Sequence, residues 1–327
     1  MKTLRYFSTF TGIGGFELGI EHALHTTQRS SNRRSQEDPE AKPASRKGLD
    51  AVSSQGTEAP NGRDSEHAQS VTHPRPLCVG HSEIDPFACE VLRRHYPSVK
   101  NYGDITKIKP SELPDFDLLC GGFPCQAFSI AGKRRGFDDT RGTLFFDLAR
   151  ILDAKRPPLF IFENVKGLIS HDDGRSFETI IGTLDDLGYD VQWQVLNSKD
   201  HGVPQNRERV FIVGHLRGER RPQVFPLTER NPAHLEEITY GVSDAQRIYA
   251  ETGIGKTIKG LGGGLGAKTG LYQTRTGIRR LTPIECERLQ GFPDDWTAGY
   301  SDTQRYKMLG NAVTVRTISD IVSQLFT

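Results

Sequence analysis

One cysteine, Cys125, stands at the end of an apolar run in the stretch GGFPCQAFS, residues 121–129. A thiol in this place can pack in a core, form a disulfide, bind a metal or act as a nucleophile. The chain has five cysteines, with neither Cys-x-x-Cys pairs nor the Cys/His spacing of zinc sites. The odd count also argues against a disulfide framework. Core packing and nucleophilic chemistry therefore remain for Cys125, and no metal site is expected.

A carboxyl group, Glu163, follows the next apolar run, PPLFIFENV. Parallel strands place their carboxyl ends at one edge of a sheet, so Cys125 and Glu163 are predicted to face one pocket. A free thiol has a pKa of about 8.5, and nearby cations favour its thiolate form. The stretch QNRERVF supplies Arg207 and Arg209 at the edge of a later strand. The four other cysteines are predicted to pack in the core.

Apolar runs and helical patterns alternate along most of the chain, which predicts an α/β domain with a mostly parallel sheet. The last two strands have no helix between them, which predicts an antiparallel pair at the end of the sheet. The predicted strands are 4–10, 77–85, 115–122, 157–165, 190–197 and 207–216, and the predicted helices are 15–24, 86–96, 143–152, 176–189, 281–292 and 311–326.

The turn TGIGG follows the first strand and opens the first helix. A strand, a glycine turn and a helix N-terminus together favour nucleotide binding, because glycine lets the backbone approach a ligand and the helix offers free N–H groups. Glycine turns also serve plain strand-to-helix packing, so this pattern does not decide the ligand.

The composition changes twice along the chain. Residues 26–76 have no aromatic side chains and few apolar ones, so they are predicted to form a disordered insertion in a catalytic domain of residues 1–216. Residues 217–279 are rich in Gly, Pro, Thr and Arg and are predicted to form a second, small, irregular domain. Residues 280–327 are predicted to pack back onto the first domain.

The net charge of +1 gives no global field that would attract nucleic acid or a membrane, so such a partner must be held by local basic clusters. No apolar run approaches the roughly 20 residues of a membrane span. The first residues also lack the pattern of a signal peptide. We therefore expect no membrane partner and a cytoplasmic location.

Nine stretches occur in a fixed order: FTGIGGFELG, SEID, GDI, GGFPCQAFS, RGTLFFDLARIL, FENVKGL, QNRERVFIVG, RRLTPIECERLQGFPDDW and MLGNAVTV. In this order and spacing the chain resembles the DNA (cytosine-5)-methyltransferase family. The resemblance covers almost everything except residues 26–76 and the small domain. It implies a Rossmann-like, S-adenosylmethionine-dependent methyltransferase sheet with helices on both faces, and a small target-recognition domain.

The resemblance also assigns catalytic roles. Cys125 would attack carbon 6 of a cytosine, which makes carbon 5 nucleophilic enough to take a methyl group. Glu163 would hold the ring nitrogen and the exocyclic amine and stabilise the developing charge. Asn164 would shape that strand end, and Arg207 and Arg209 are similar to the basic pair that the family places beside the flipped base.

The methyl donor that the resemblance implies is S-adenosylmethionine. Glu83 would take its ribose hydroxyls. The family often has an acidic residue two positions before the equivalent of Phe10, and this chain has Ser8 there. The other expected donor contacts are Phe10, Gly12, Ile13, Gly14, Gly15, Asp104, Ile105, Asn311, Ala312 and Val313.

Double-stranded DNA is the partner that the resemblance implies, with the target base flipped out because its carbon 6 cannot be reached in the stack. The loop 127–142 follows Cys125 and is the candidate closing loop, with basic residues for phosphate contact. The small domain, with GLGGGLGAKTGLYQTRTGIRR, would read the sequence. We expect a monomer, with a separately acting restriction endonuclease as a candidate partner. A tRNA cytosine-5 methyltransferase and a catalytically inactive DNA-binding protein remain as alternatives.

Overall fold

The computed structural model describes the backbone of residues 3–34, 74–124, 144–219, 222–228, 233–239 and 242–326, without the side chains of residues 26–34. Cys125 and the predicted closing loop therefore lie outside the described residues. So does most of the predicted insertion. Within the described residues, no helix has the length and apolar character needed to cross a membrane.

A six-stranded sheet forms the centre of the molecule. Its spatial order is β2-β1-β3-β4-β6-β5, in which β2, β1, β3 and β4 run parallel and β6 runs antiparallel to both of its neighbours. The antiparallel pair predicted at the end of the sheet is confirmed. The strands are β1 (Thr3–Thr9), β2 (Arg75–Ser82), β3 (Leu118–Gly122), β4 (Leu159–Val165), β5 (Tyr189–Asn197) and β6 (Glu208–Leu216).

Helices cover both faces of this sheet, which confirms the predicted α/β fold. On one face α1 (Gly15–Arg34) and α7 (Val315–Leu325) share a buried apolar core with β1 and β3. On the other face α3 (Leu144–Lys155) and α4 (Arg175–Asp186) pack on the sheet through a second core. Burial of each large apolar side chain in these cores stabilises the fold by about 1.5–3 kcal/mol.

The first and last helices approach each other unusually closely. A Cβ at Gly19 of α1 would lie 2.6 Å from Cβ of Ile318 in α7. A glycine is therefore required at this crossing, and the closeness of the two helices joins the end of the chain to its beginning. The helix α7 thus packs against α1.

The predicted insertion differs from the structure at both ends. The helix α1 continues to Arg34, and β2 already begins at Arg75. Residues 25–34 are all polar, so the sequence shows no apolar periodicity there that would have predicted this extension of the helix. Residues 35–73 lie outside the described part of the chain.

The predicted helix 311–326 is wrong at its start. Asn311 ends a separate helix, α6 (Asp302–Asn311), and α7 begins only at Val315. Ala312 between them has extended φ and ψ angles of −69° and 149°. The polar sequence of α6 hides it from a search for apolar periodicity, although Ser301 caps its first turn by accepting a hydrogen bond from the Gln304 N–H.

The predicted small domain contains a second sheet. Its three strands are β7 (Ile248–Ala250), β8 (Leu271–Thr274) and β9 (Gly277–Arg280), with β8 in the centre. The helix α5 (Pro283–Gln290) follows, opened by a capping box between Thr282 and Glu285. The remaining helix, α2 (Pro86–His95), packs with α5 and α6 through a third apolar core.

Candidate active site

A cavity of about 510 Å³ opens at the carboxyl ends of β1 to β4. This is where ligands bind in parallel α/β sheets. It brings together residues that are far apart in the sequence. Its lining includes most of the predicted site: Phe10, Gly12, Ile13, Glu83, Asp104, Ile105, Glu163, Asn164, Arg207, Arg209 and Asn311.

The turn after β1 forms one wall of the cavity and has an unusual backbone. Gly12 and Gly14 have φ angles of 58° and 91°, in the left-handed region that favours glycine. Phe10 has a φ of 50°, which is strained for an aromatic residue. The Gly12 N–H donates a hydrogen bond of 2.7 Å to Oε2 of Glu83. The strained turn is thus tied directly to the end of β2.

The carboxyl group of Glu83 is held in one orientation. Its Oε1 accepts hydrogen bonds of 2.8 Å from the N–H groups of Ile84 and Asp85, in addition to the bond from Gly12. Burial nevertheless raises the pKa of Glu83 above its usual value. A carboxylate has about four lone-pair sites, so three N–H donors leave capacity for a ligand hydroxyl.

The opposite side of the cavity carries a carboxyl–guanidinium pair. Nε of Arg209 lies 3.0 Å from Oε1 of Glu163, and their side chains are 17% and 13% exposed. The pair can form because β4, which carries Glu163, and β6, which carries Arg209, are antiparallel neighbours in the sheet. On the other side of β4, Gly122 of β3 lies opposite Glu163. A Cβ at Gly122 would lie 2.8 Å from Oε2 of Glu163. The glycine thus leaves room for this carboxyl group.

Asn164 fixes the end of the strand that leads to Cys125. Its side chain is buried, and its Nδ2 donates a hydrogen bond of 2.9 Å to the carbonyl of Phe123. Its Oδ1 accepts one from the Val165 N–H. Pro124 is the last described residue before Cys125, and it lines the same cavity.

Arg207 and Arg209 make different contacts, although they stand two residues apart. Arg207 is 2% exposed, and its guanidinium donates to the backbone carbonyls of Ile258, Gly310 and Ala312 at 2.9–3.1 Å. Burial lowers its pKa to about 9. Arg209 is the arginine that contacts Glu163.

Comparison with known proteins identifies the family of this chain. A sequence model of the family described as C-5 cytosine-specific DNA methylase matches residues 73–252 and 240–327. The chain belongs to this family. It is therefore a DNA (cytosine-5)-methyltransferase, with S-adenosylmethionine as its methyl donor.

The chain is similar to the Type II methyltransferase M.HhaI of Haemophilus parahaemolyticus, with 37% identity over 281 residues, 75% of this chain and 86% of the relative. It is also similar to M.SsoII of Shigella sonnei, with 40% identity over 278 residues, 75% and 72% of the two chains. Among solved structures, Dnmt2 of S. pombe gives a TM-score of 0.65 with 16% identity over 99% of this chain and 98% of that chain. At that identity the likeness concerns the fold alone.

Four expected donor contacts of the methyltransferase do not line the cavity: Gly14, Gly15, Ala312 and Val313. Gly15 instead allows close packing, because a Cβ there would lie 2.8 Å from Cγ1 of Val313. Several lining residues were missed by the sequence analysis, among them Ile84, which is 71% exposed, Lys307 and Met308. Nζ of Lys307 lies 2.7 Å from Oδ2 of Asp85, so it joins two walls of the cavity.

The described cysteines of the methyltransferase are poor nucleophiles. Cys78, Cys89, Cys120 and Cys286 are free thiols, and burial raises the pKa of each. Cys120 and Cys286 are fully buried, as expected of core packing, whereas Cys78 and Cys89, also predicted to pack in the core, are only partly buried. Among the described residues, no cluster of His, Cys, Asp and Glu could hold a metal ion.

Proposed function

We propose that this DNA methyltransferase acts on a cytosine flipped out of double-stranded DNA, with Cys125 as nucleophile and Glu163 and Arg209 beside the base. The observation that carries the proposal is the Glu163–Arg209 pair, whose Oε1 and Nε atoms are 3.0 Å apart. Glu163 lies on β4, next to the strand β3 that leads into Cys125, and Arg209 lies on β6, the other neighbour of β4. A carboxyl group at this point can hold the ring nitrogen and exocyclic amine of cytosine, and Arg209 fixes its orientation.

In the proposed reaction, the Cys125 thiolate bonds to carbon 6, and the electron pair of the carbon 5–carbon 6 double bond becomes available at carbon 5. Carbon 5 then takes the methyl group, and S-adenosylhomocysteine leaves. A base removes the proton from carbon 5, the double bond forms again and the thiolate is released. The protonated Glu163 carboxyl donates a hydrogen bond from its O–H to the ring nitrogen and accepts one from the exocyclic amine, which stabilises the negative charge that develops on the ring.

The donor side of the cavity fits S-adenosylmethionine, which supplies an electrophilic methyl group when bound. Glu83 is a fixed carboxyl group with remaining acceptor capacity for ribose hydroxyls. The carboxyl group of Asp104 accepts from the N–H and hydroxyl of Thr106, which orients it at the rim. Phe10, Ile13 and Ile105 supply apolar surface in the same cavity.

Arg207 is proposed to be a positioning residue. Its guanidinium is occupied by three carbonyls from two other segments, residues 258 and 310–312. An arginine that is buried and bonded in this way acts on the reaction by holding those segments. Arg209, in contact with Glu163, is the one proposed to act beside the base.

The small domain, residues 217–279, is proposed to read the DNA sequence. Leu261 and Leu265 are 76% and 64% exposed, in a stretch that is otherwise mostly glycine. Lys268 and Arg280 line a cavity of about 200 Å³ together with Leu265. Exposed apolar groups beside cations suit contact with bases and phosphates. The loop 127–142 is proposed to close over the flipped base.

A monomeric state, a cytoplasmic location and a separately acting restriction endonuclease are also proposed. The support for the endonuclease is that M.HhaI and M.SsoII are both Type II methyltransferases.

A covalent trap tests the proposal. Fluorine in place of the proton on carbon 5 blocks release of the enzyme. Duplex DNA that carries 5-fluorocytosine at the target, incubated with S-adenosylmethionine, should give an adduct that resists denaturation and maps to Cys125. Cys125→Ser should give none, whereas Cys120→Ser, a matched control in the core, should behave as the wild type.

An adduct on another residue, or none on a substrate proven to be methylated, would refute the role of Cys125. Transfer of tritiated methyl groups to tRNA and not to duplex DNA would favour the tRNA alternative. A chain that binds DNA and transfers no methyl group would be the inactive binding protein.

A further inference from the structure

Two glutamines are completely buried behind the active-site cavity. Gln205, in the loop before β6, and Gln290, at the end of α5, are both 0% exposed. Glutamine is seldom fully buried, because each amide group that loses water needs hydrogen-bond partners inside the protein. Both side chains have such partners, and these identify what the glutamines hold.

Gln290 anchors the turn that carries Asn311 into the donor side of the cavity. Its Nε2 donates hydrogen bonds of 2.7 Å to the carbonyl of Leu309 and 3.1 Å to that of Ala312. These carbonyls lie on either side of Asn311. Arg207 donates to the carbonyls of Gly310 and Ala312 from another direction. Four hydrogen bonds from two buried side chains thus hold one short turn.

The position of this turn at a helix end explains why it needs such anchors. The last carbonyls of a helix have no partner within the helix. In α6 these include Leu309 and Gly310, which are buried, so water cannot satisfy them. Without Gln290 the turn would have to move toward solvent or leave carbonyls unpaired. Either change would move Asn311, which lines the cavity.

The side-chain carbonyl oxygen of Gln290 connects the turn to Gln205. Its Oε1 accepts hydrogen bonds of 2.8 Å from Thr314 Oγ1 and 3.2 Å from Gln205 Nε2. Oε1 of Gln205 accepts in turn from the Ile258 N–H in the small domain. Gln205 therefore contacts the small domain and α5, but not the backbone of the turn.

We propose that Gln290 is a positioning residue for methyl-donor binding, which holds the turn 309–314 so that Asn311 keeps its place in the cavity. This inference rests on the proposed assignment of the cavity as the donor site. The effect should fall on donor affinity, because the residues beside the base are held by β4 and β6. Gln205, with equal burial but no bond to the turn, is the matched control.

Titration calorimetry with S-adenosylhomocysteine is the test. Gln290→Met keeps the length of the side chain but removes the amide. It should weaken binding about tenfold, since loss of about 1.4 kcal/mol is a factor of ten. Gln205→Met should lower thermal stability similarly and change the dissociation constant less than threefold. At saturating donor, kcat should stay within about threefold for both.

Hydrogen exchange gives a second readout. The amides of residues 311–314 should exchange faster in Gln290→Met than in Gln205→Met. If both variants bind S-adenosylhomocysteine equally well, the inference is overturned. If the wild type does not bind S-adenosylhomocysteine, the assignment of the cavity as the donor site is wrong. Should Gln290→Met not fold, Gln290→Glu keeps the length of the side chain and an acceptor oxygen but offers at most one O–H donor in place of two N–H donors, and weaker binding than in the wild type is expected.

Discussion

A buried acid in the first turn of α1 should make the stability of this protein fall as pH rises. Glu17 is 0% exposed, and neither of its carboxyl oxygens has a hydrogen-bond partner of good geometry among the described residues. Burial raises its pKa from 4.5 to about 7, although its own backbone N–H and the nearby Ser8 hydroxyl slightly favour the charged form. The folded protein therefore prefers the neutral acid.

The size of the effect follows from the two pKa values. Below pH 4.5 the carboxyl is protonated in both the folded and the unfolded chain. Between pH 4.5 and 7 the folded chain retains a proton that the unfolded chain has lost, so stability falls by about 1.4 kcal/mol per pH unit. Above pH 7 the carboxyl is ionised in both the folded and the unfolded chain, and the loss of folding stability reaches its full value of about 3 kcal/mol. Glutamine resembles the neutral acid and does not titrate.

Glu17→Gln should therefore change stability little at pH 4.5 and raise the free energy of unfolding by up to about 3 kcal/mol at pH 8.5. For a chain of this size, that corresponds to about 5 °C or more in Tm. Urea and thermal unfolding, followed by circular dichroism at both pH values, measure it. Glu178→Gln is the control, because Glu178 also lies in the first turn of a helix but is exposed. Equal effects of Glu17→Gln at both pH values, or destabilisation at pH 8.5, would refute the reasoning.

Two further predictions concern the active site and the predicted insertion. Gly122→Ala should lower kcat by roughly tenfold to a hundredfold, because its Cβ would lie 2.8 Å from Oε2 of Glu163 and displace that carboxyl group. Gly182→Ala on α4 is the control, because a Cβ there would have no atom within 4 Å. Equal activity of the two variants would contradict the steric argument. Replacing residues 36–72 by a short Gly/Ser linker should preserve folding and methyl transfer, because the replaced sequence has too little apolar content to contribute to a core. A linker variant that cannot fold would show that the segment is needed for the structure.

Much of the fold could be predicted because its signals are local. The alternation of apolar runs and helical patterns predicted the strands of the main sheet and most of the helices, and the family resemblance implied helices on both faces. The missing helix between β5 and β6 predicted their antiparallel pairing. The same local order placed Glu163 and Glu83 just where strands end, and both line the cavity. These features depend on neighbouring residues, so the sequence alone determined them.

The sequence did not predict contacts between residues that are distant along the chain. The motif QNRER pairs Arg207 with Arg209, but only the tertiary structure shows that one binds carbonyls about 100 residues away while the other binds Glu163. The sequence around Ala312 also gives no strong signal for the break between α6 and α7. The carbonyl of Ala312 accepts hydrogen bonds from Gln290 and Arg207, so the turn is stabilised by residues outside its own segment.

The burial of Glu17 and Gln290 shows the same limit. Both lie in helices whose sequences give no reason to expect a fully buried polar side chain, and their surroundings come from other segments. Burial depends on what packs over a residue once the chain has folded. The sequence therefore determined the strands of the main sheet, most of the helices and the family, and the tertiary structure decided which polar groups touch the cavity and which ones hold its walls.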